Sequence, residues 1–211
     1  MGHLATQNYI NLGFFLTLMD TSHTHIDDYV RRLLAEKQYR PTVVALVFQQ
    51  LTFSYAPPQR EYLLVKERPE PQEDPLEIGP FLPPVIWHCP QGGVEPEDCE
   101  QPHILERALA RELSEELHLA FPDDLTMIEP SLHNESLHEP GRQHRGFSQG
   151  KHYFFGLIQA RPDIPLRPSA DIADCHWSTY QQAICHFNVL RTTKARLLAY
   201  ALERAEQFLS P

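Results

Sequence analysis

The sequence predicts an α/β fold built on a mixed sheet, and three observations support this prediction. Short apolar and β-branched runs, typical of buried strands, alternate with two or three amphipathic helical patterns. The chain has 211 residues, of which 42% are hydrophobic, which is enough for one domain with a sizeable core. The composition excludes disordered chains and disulfide scaffolds, and the sequence contains no internal repeat.

The first 38 residues are predicted to form an N-terminal extension with one short helix. Apolar residues from Ile26 to Leu34 follow the spacing of one helical face, and Pro41 stops this helix. The apolar stretch from Tyr9 to Met19 is too short to span a bilayer, so no membrane segment is expected. Residues 39–211 are expected to form the main domain.

The main domain shows an alternation of extended and helical patterns. The predicted strands are Thr42–Phe48, Glu61–Glu67, Val85–His88, Leu125–His133, Lys151–Gln159 and Cys175–Trp177. The predicted helices are Pro102–Leu119, which has the strongest apolar stripe of the chain, and Val189–Leu209. Residues 68–84 hold six prolines and four acidic residues, so we expect them to form an exposed insertion.

The charge balance restricts the classes of partner. The chain has 18 Lys and Arg residues against 28 Asp and Glu residues, a formal net charge of −10. Nucleic acids and anionic membranes favour a basic surface, so broad electrostatic binding to either is not expected. A small anionic ligand held by a few local cations or a metal is compatible with this charge. The four cysteines form no C-x-x-C pair, which favours reduced thiols and a cytoplasmic location.

Three glutamates cluster on one face of the predicted helix at Pro102–Leu119. Positions i, i+3 and i+4 lie together on a helix, so Glu112, Glu115 and Glu116 project their carboxylates side by side. Like charges at this spacing repel, and oxygen ligands grouped in this way suit Mg²⁺ or Mn²⁺. Arg111 adjoins the cluster and can hold one carboxylate through a bidentate pair. A solvated acidic face on a surface helix is the competing interpretation.

A glycine pair precedes this helix and favours the metal-site interpretation. In Gln91-Gly92-Gly93 the backbone can approach a ligand closely. The loop that leads into the helix then brings the backbone carbonyls of this segment near the carboxylates.

These residues together resemble the signature of the Nudix hydrolases, G-x5-E-x7-R-E-U-x-E-E-x-G-U, in which U is a bulky aliphatic residue. Gly93 matches the first glycine, and the later signature positions fall on Arg111, Glu112, Glu115 and Glu116. The resemblance implies a Nudix-type α/β/α sandwich with a mixed sheet. It also implies a hydrolase of phosphorus-containing acid anhydrides, in which the three glutamates bind the catalytic divalent ions and the arginine orients them.

The sequence departs from the signature at three points. The loop between the glycine and the arginine is four residues longer than the signature allows. Counting back from Arg111, His103 stands at the first signature glutamate, and His118 replaces the glycine after the paired glutamates. Glu97 or Glu100, in the enlarged loop, are candidates to replace the missing glutamate. These departures motivate a second hypothesis, a catalytically weakened Nudix-fold module that binds nucleotides.

Within the family, the chain is most similar to the bacterial RNA pyrophosphohydrolases and diadenosine-polyphosphate hydrolases. The shared pieces are Tyr39-Arg40-Pro41, Trp87-x-x-Pro90-Gln91-Gly92-Gly93, Gln149-Gly150-Lys151-His152-Tyr153-Phe154 and Trp177. This resemblance implies that Asp171 is a fourth carboxylate ligand and that Arg40 and Arg191 contact the substrate. Lys66 and Lys151 are further candidates for phosphate contacts. The competing interpretations are a loop acid or helix cap for Asp171 and surface cations for the two arginines.

The resulting hypothesis is a divalent-metal-dependent hydrolase that cleaves a phosphoanhydride bond in a nucleoside polyphosphate. Mg²⁺ ions would lie between the three glutamates, a Gly92 or Gly93 carbonyl and Asp171, with Glu115 accepting a proton from water. The acidic charge favours a dinucleoside polyphosphate or a nucleoside triphosphate as substrate. The subgroup motifs favour an RNA 5′ end, which stays an alternative. The sequence leaves the oligomeric state open.

Overall fold

The computed structural model describes residues 24–68, 87–138, 146–189 and 192–210. Three features considered in the sequence fall wholly outside these residues: the apolar stretch Tyr9–Met19, the predicted insertion beyond Arg68, and the candidate substrate contact Arg191. Of the predicted strand Val85–His88 only the last two residues are described, and His88 forms an isolated bridge with Val65 rather than part of a strand.

The described residues contain six strands, four α-helices and one short 3-10 helix. The strands are β1 (Tyr39–Phe53), β2 (Ala56–Glu67), β3 (Gln91–Gly93), β4 (Leu125–His138), β5 (Gly150–Ala160) and β6 (Ile172–Thr179). The α-helices are α1 (residues 24–36), α2 (Ile104–Leu117), α3 (Tyr180–Val189) and α4 (Thr193–Leu209). The 3-10 helix covers Pro96–Glu100. The predicted α/β class is confirmed, with more helices than the two or three expected.

The predicted C-terminal helix, Val189–Leu209, corresponds to α4, and the helix that precedes it, α3, was not predicted. Helix α3 starts at Tyr180, within a stretch that the sequence analysis left unassigned, and ends at Val189. Helix α4 begins after Thr192, whose side-chain oxygen accepts a hydrogen bond from the Ala195 backbone N at 3.1 Å. Such an N-cap marks a new helix start. The predicted helix therefore begins four residues later than expected, at Thr193, and ends at Leu209 as expected.

The six strands form one mixed sheet in the order β4-β5-β1-β2-β6, with β3 paired to β1. Strand β1 runs parallel to β5 and antiparallel to β2 and β3. Its first residues pair with β3, as Thr42 does with Gly93, and its later residues pair with β2, as Phe48 does with Tyr62. The glycine pair is therefore held inside the sheet, beside the start of β1.

Both faces of the sheet are covered by helices. Successive side chains of a strand point to opposite faces, and the residues of β1 divide in this way between two cores. Val43, Ala45 and Val47 belong to a core that contains residues of α1 and α2, so we name this side the α2 face. Val44, Leu46 and Phe48 belong to a core with residues of α3 and α4, the α4 face. This three-layer arrangement is the expected α/β/α sandwich.

Helix α1 is hydrogen-bonded to the start of helix α2. Asp27 is buried, and its two carboxylate oxygens accept hydrogen bonds from the backbone N of His103 at 2.8 Å and of Ile104 at 3.0 Å. A carboxylate at a helix N-terminus also interacts favourably with the helix dipole. Val30 and Leu33 of α1 lie in the core on the α2 face. The described part of the N-terminal extension is thus packed against the helix that carries the glutamate cluster.

The cysteines and the length of the helices bear on two further expectations from the sequence. The four cysteines are free thiols, in agreement with the expected absence of a disulfide framework. In the described parts of the chain, none of the helices combines the length and the hydropathy needed to cross a membrane.

Candidate active site

A cavity of about 620 Å³ opens where the start of β1, strand β3 and helix α2 meet. Its lining includes Arg40, Thr42, Glu67, Gln91, Gly92, Gly93, Glu95, Glu97, Arg111, Glu112, Glu115 and Lys151. Carboxylates and cations therefore face the same space, which suits an anionic ligand accompanied by a metal ion. Two of the three signature glutamates and the signature arginine lie in this lining.

The glycine pair allows two charged side chains to lie against the backbone of β3. A β-carbon at Gly92 would overlap the carboxylate of Glu112, and one at Gly93 would overlap the guanidinium of Arg40. A residue with a side chain at either position would displace a charged group from the cavity wall. The physical role of the glycines is therefore close approach.

Arg111 connects the glycine segment to the glutamates of α2. Its Nη2 donates to the Gly93 carbonyl oxygen at 2.7 Å, and its Nη1 donates to Glu112 Oε1 at 2.7 Å and to Glu115 Oε2 at 3.1 Å. Burial opposes the charge of Arg111, but the hydrogen bond to Asp98 and the charge of Glu112 raise its pKa overall. The guanidinium thus stays charged and fixes two carboxylates against β3.

The enlarged loop supplies a carboxylate that sequence reasoning missed. Asp98, in the 3-10 helix, has a relative exposure of only 4% and accepts hydrogen bonds from Arg111 Nη2 at 2.9 Å and Nε at 3.2 Å. The candidates Glu97 and Glu100 make no such contact among the described residues. His103, at the signature glutamate position, instead pairs with Glu106 on the helix surface. If the signature is counted forward from Gly93 instead of back from Arg111, its first glutamate falls at position 99, next to Asp98. Counting in this direction could therefore have indicated Asp98 from the sequence.

The glutamates of α2 lie in different environments. Burial raises the pKa of Glu112, although the charge and hydrogen bond of Arg111 oppose this effect. Burial and the nearby charges of Glu112 and Glu67 raise the pKa of Glu116 to about 8. Glu115 is the most open of the three, with 59% of its side chain exposed. The cluster predicted from helical spacing therefore exists, and it is partly buried rather than a solvated face.

A further carboxylate, on Glu67 at the end of β2, comes close enough to interact with Glu116. The imidazole of His88, which is only 3% exposed, places its Nδ1 2.8 Å from the Cys89 carbonyl oxygen and its Nε2 3.2 Å from Glu67 Oε1. The hydrogen bond to His88 lowers the pKa of Glu67 to about 2, against the effect of burial. Neither residue belongs to the matched signature, so sequence spacing gave no signal for this pair.

The oxygen atoms of these carboxylates are suitable ligands for a hard divalent cation. Glu116 Oε2 is buried and has no hydrogen-bond partner among the described residues, although a buried carboxylate oxygen needs a donor or a cation. The neighbouring ligands are all oxygens, the atoms that Mg²⁺ and Mn²⁺ prefer. In the described ranges, no three His, Cys, Asp or Glu side chains already converge on one metal position. Arg111 instead holds Glu112, Glu115 and the Gly93 carbonyl.

The predicted substrate contacts are only partly brought together. Arg40 and Lys151 line the cavity, and Arg40 Nη2 also pairs with Glu95 Oε1 at 3.1 Å. Lys66 pairs in register with Asp174 on β6 and is not part of the cavity lining. Arg191 lies outside the described residues.

Asp171, the predicted fourth ligand, is exposed and does not line the cavity. Its carbonyl oxygen accepts from the Arg68 N at 2.8 Å, next to Glu67. The Ser169 N, two residues earlier, donates to the Glu116 carbonyl oxygen at 2.8 Å. The loop before β6 is therefore attached to the end of α2, and a ligand role for Asp171 stays a prediction.

His152, within the shared QGKHYF segment, faces away from the cavity. Its Nδ1 lies 2.7 Å from Ser136 Oγ and its Nε2 lies 3.3 Å from Asn134 Oδ1, both on β4. Burial lowers the pKa of His152 to about 4, so the ring is neutral at physiological pH. Its place is on the α2 face, beside Tyr29 and Phe154, where it packs helix α1 against the sheet.

Comparison with known structures supports the fold. A C. elegans Ap4A hydrolase, solved as a binary complex, is 18% identical with a TM-score of 0.53, and the match covers 81% of this chain and 97% of that chain. The E. coli dihydroneopterin triphosphate pyrophosphohydrolase is 14% identical with a TM-score of 0.51, and the match covers 79% of this chain and 96% of that chain. At these identities the likeness shows a shared fold. No curated protein sequence matches the chain.

The family assignment comes from sequence. The family model described as the NUDIX domain matches residues 38–201, which is most of the chain and includes β1, the glycine pair, α2, α3 and the first half of α4. The fold and the glutamate cluster agree with this match. The chain therefore belongs to the Nudix family, and it is a hydrolase acting on phosphorus-containing acid anhydrides.

Proposed function

We propose that this protein is a divalent-metal-dependent hydrolase that cleaves a phosphoanhydride bond in a nucleoside polyphosphate. The observation that carries the proposal is the buried, unpartnered oxygen of Glu116 beside the carboxylates of Glu67 and Glu112. Mutually repelling carboxylates destabilise a fold unless a cation compensates them. Arg40 and Lys151, in the lining of the adjoining cavity, supply the positive charge that a phosphate chain requires.

Glu112, Glu115 and Glu116 would hold Mg²⁺ or Mn²⁺, with Glu67 and Asp171 as further candidate ligands. When bound, the metal lowers the pKa of water and stabilises the negative charge that develops on the phosphoryl oxygens. Arg111 positions the carboxylates of Glu112 and Glu115. Glu115 is the most exposed of the three signature glutamates, so water reaches it, and we assign it the role of proton acceptor.

The altered loop does not argue for a catalytically weakened binding module. The carboxylate of Asp98 holds Arg111 in place where the signature glutamate is missing. The arrangement that orients Glu112 is thus complete despite His103 and His118.

The acidic character of the chain supports a small substrate over RNA. With a net charge of −10, the chain lacks an excess of cations for repeated phosphate contacts along an RNA strand. We therefore favour a dinucleoside polyphosphate or a nucleoside triphosphate. The motifs shared with RNA pyrophosphohydrolases keep a triphosphorylated RNA 5′ end as the second candidate.

The test is product analysis with diadenosine tetraphosphate, ATP and a 5′-triphosphorylated RNA oligonucleotide, each with Mg²⁺ and with EDTA. We expect metal-dependent cleavage, fastest for a small nucleotide, and a loss of about 100-fold or more in kcat for Glu116→Gln. This substitution keeps the size of the side chain and removes its charge.

The matched control is Glu106→Gln. Glu106 lies on the same helix, pairs with His103 at 3.2 Å and does not line the cavity, so its neutralisation should leave kcat unchanged. Equal rates for the wild type and Glu116→Gln, or full activity in EDTA, would contradict the proposal. Faster cleavage of the RNA would select the second candidate.

A further inference from the structure

A second, smaller groove of about 200 Å³ lies between the end of β4 and the first half of α4. Leu137 and Glu135 contribute to it from the strand, and Arg196, Leu197 and Tyr200 contribute from the helix. None of these residues belongs to the Nudix signature or to the carboxylate cluster. The groove is therefore a separate surface feature whose ligand has to be inferred from its chemistry.

The groove lies on the same sheet as the cavity, two strands away from the start of β1. Leu137 on β4 pairs in register with Lys151 on β5, and Lys151 pairs in register with Arg40 on β1. Alternation along each strand places these three side chains on the α4 face. Neighbouring strands are about 4.8 Å apart, so a row of roughly 10 Å connects Arg40 in the cavity with Leu137 in the groove.

Cations lie between the two sites and beside the groove. Lys151 lines the cavity, and it is paired in register with Leu137 of the groove. Lys194 is in the first turn of α4, two residues before Arg196. In an acidic chain, this local group of cations favours a phosphate chain that runs from the glutamates towards the groove.

The groove itself suits a nucleoside rather than another phosphate. Tyr200 is 46% exposed, and its ring is supported edge-on by His133, at 5.0 Å between ring centroids. His133 in turn stacks on Phe155 at 5.9 Å. A fixed, exposed aromatic ring is a stacking surface for a nucleobase. Glu135 repels phosphate, but its carboxylate can accept hydrogen bonds from ribose hydroxyls or a base amino group.

We propose that this groove binds the second nucleoside of a dinucleoside polyphosphate whose phosphate chain crosses Lys151 from the catalytic cavity. The inference rests on the proposed function, because it takes the cavity as the site of phosphoanhydride cleavage. Arg196, for which the described residues provide no ion pair, contacts the last phosphate or stacks on the base beside Tyr200. The site therefore distinguishes dinucleoside polyphosphates from nucleoside triphosphates.

The test measures binding of diadenosine tetraphosphate and of ATP by calorimetry with Mg²⁺, in a Glu116→Gln background that prevents turnover. We expect Tyr200→Ala and Arg196→Gln each to weaken binding of the dinucleotide by about tenfold and to leave ATP binding unchanged. Tyr200→Phe keeps the ring and should retain the affinity. Arg204→Gln is the matched control for charge, because Arg204 lies on the same helix and pairs with Gln207 outside the groove.

Three outcomes would overturn the subsite: no effect of either substitution, equal weakening of ATP and dinucleotide, or a protein that binds no dinucleotide. Weakened binding of a 5′-triphosphorylated RNA without an effect on the dinucleotide would assign the groove to RNA and overturn it as well. A wild type that binds the dinucleotide through Tyr200 but hydrolyses none of the substrates would contradict the proposed function and support the subsite.

Discussion

Arg111 donates hydrogen bonds to Asp98, Glu112, Glu115 and the Gly93 carbonyl. A planar guanidinium presents its donors in a fixed fork, so one side chain can hold several acceptors in a defined arrangement. Because Asp98 is buried and takes one side of this fork, the other donors can point only towards β3 and the glutamates. The orientation of Glu112 and Glu115 therefore depends on Asp98, which lies outside helix α2.

We therefore expect Asp98→Asn to lower kcat by about 10- to 100-fold with a smaller change in KM. The amide keeps the size of the side chain and removes the charge that holds Arg111. Steady-state kinetics with the proposed nucleotide substrate measures the split between kcat and KM, and Asp98→Glu should recover part of kcat. Glu100→Gln, an exposed change in the same 3-10 helix, is the control and should behave as the wild type. An unchanged kcat for Asp98→Asn would contradict the positioning role.

At the scale of elements, helix α2 is fixed at both ends by contacts that its own sequence does not reveal. Its first backbone N–H groups are capped by Asp27 of α1. Its end is closed by backbone hydrogen bonds from His118 N to Ser114 O at 3.1 Å and from Leu119 N to Leu113 O at 3.2 Å. His118 adopts a left-handed conformation with φ of 55°, which glycine adopts without steric cost. The departure from the signature therefore affects the helix end.

The expected consequence is that His118→Gly stabilises the protein by about 1 kcal/mol and leaves kcat unchanged. Glycine removes the β-carbon that strains the left-handed conformation, while the exposed imidazole makes no contact with the cavity. Urea unfolding measures the change in the free energy of unfolding. His118→Ala, which keeps the β-carbon, should give no such gain, and equal stabilities of the glycine and alanine variants would contradict the explanation.

Element boundaries also show where sequence periodicity is informative and where it is not. The strands at the centre of the sheet were predicted from continuous apolar runs, because they are buried on both faces. The ends of the central strand β1 and of the edge strand β4 were missed, because they extend into polar residues that are strands only through pairing with neighbours. Helix α3 was missed altogether, and the start of α4 is set by the Thr192 cap rather than by the apolar spacing.

For the whole molecule, the carboxylate cluster opposes folding unless its charge is compensated. The pKa of Glu116 is about 8 in the folded protein and has its ordinary value of 4.5 in the unfolded chain. A raised pKa means that the folded state binds the proton more tightly than the unfolded chain. The corresponding stability is complete below pH 4.5 and is lost as the pH rises through about 8.

In EDTA, we therefore expect the wild type to lose stability between pH 5 and pH 8 relative to Glu116→Gln, by about 1–3 kcal/mol. The glutamine variant has no charge to bury at this position, so the difference between the two proteins isolates Glu116 from other titrating groups. Thermal or urea unfolding across this pH range measures the effect, and Mg²⁺ should restore the stability of the wild type selectively. If the free energy of unfolding changed with pH in the same way for both proteins, this would contradict a buried charge on Glu116.

The sequence by itself determined the α/β class, the family and the glutamate face of α2, because these depend on local periodicity and on residues close together in the chain. It also identified Arg40, Lys151 and the glycine pair, which belong to short contiguous motifs. Only the tertiary structure decided that Glu67, His88 and Asp98 join the site and that a groove between β4 and α4 lies on the same face of the sheet as Arg40 and Lys151. These residues come from separate strands and loops, and strand register and side-chain direction, which no local pattern specifies, bring them together.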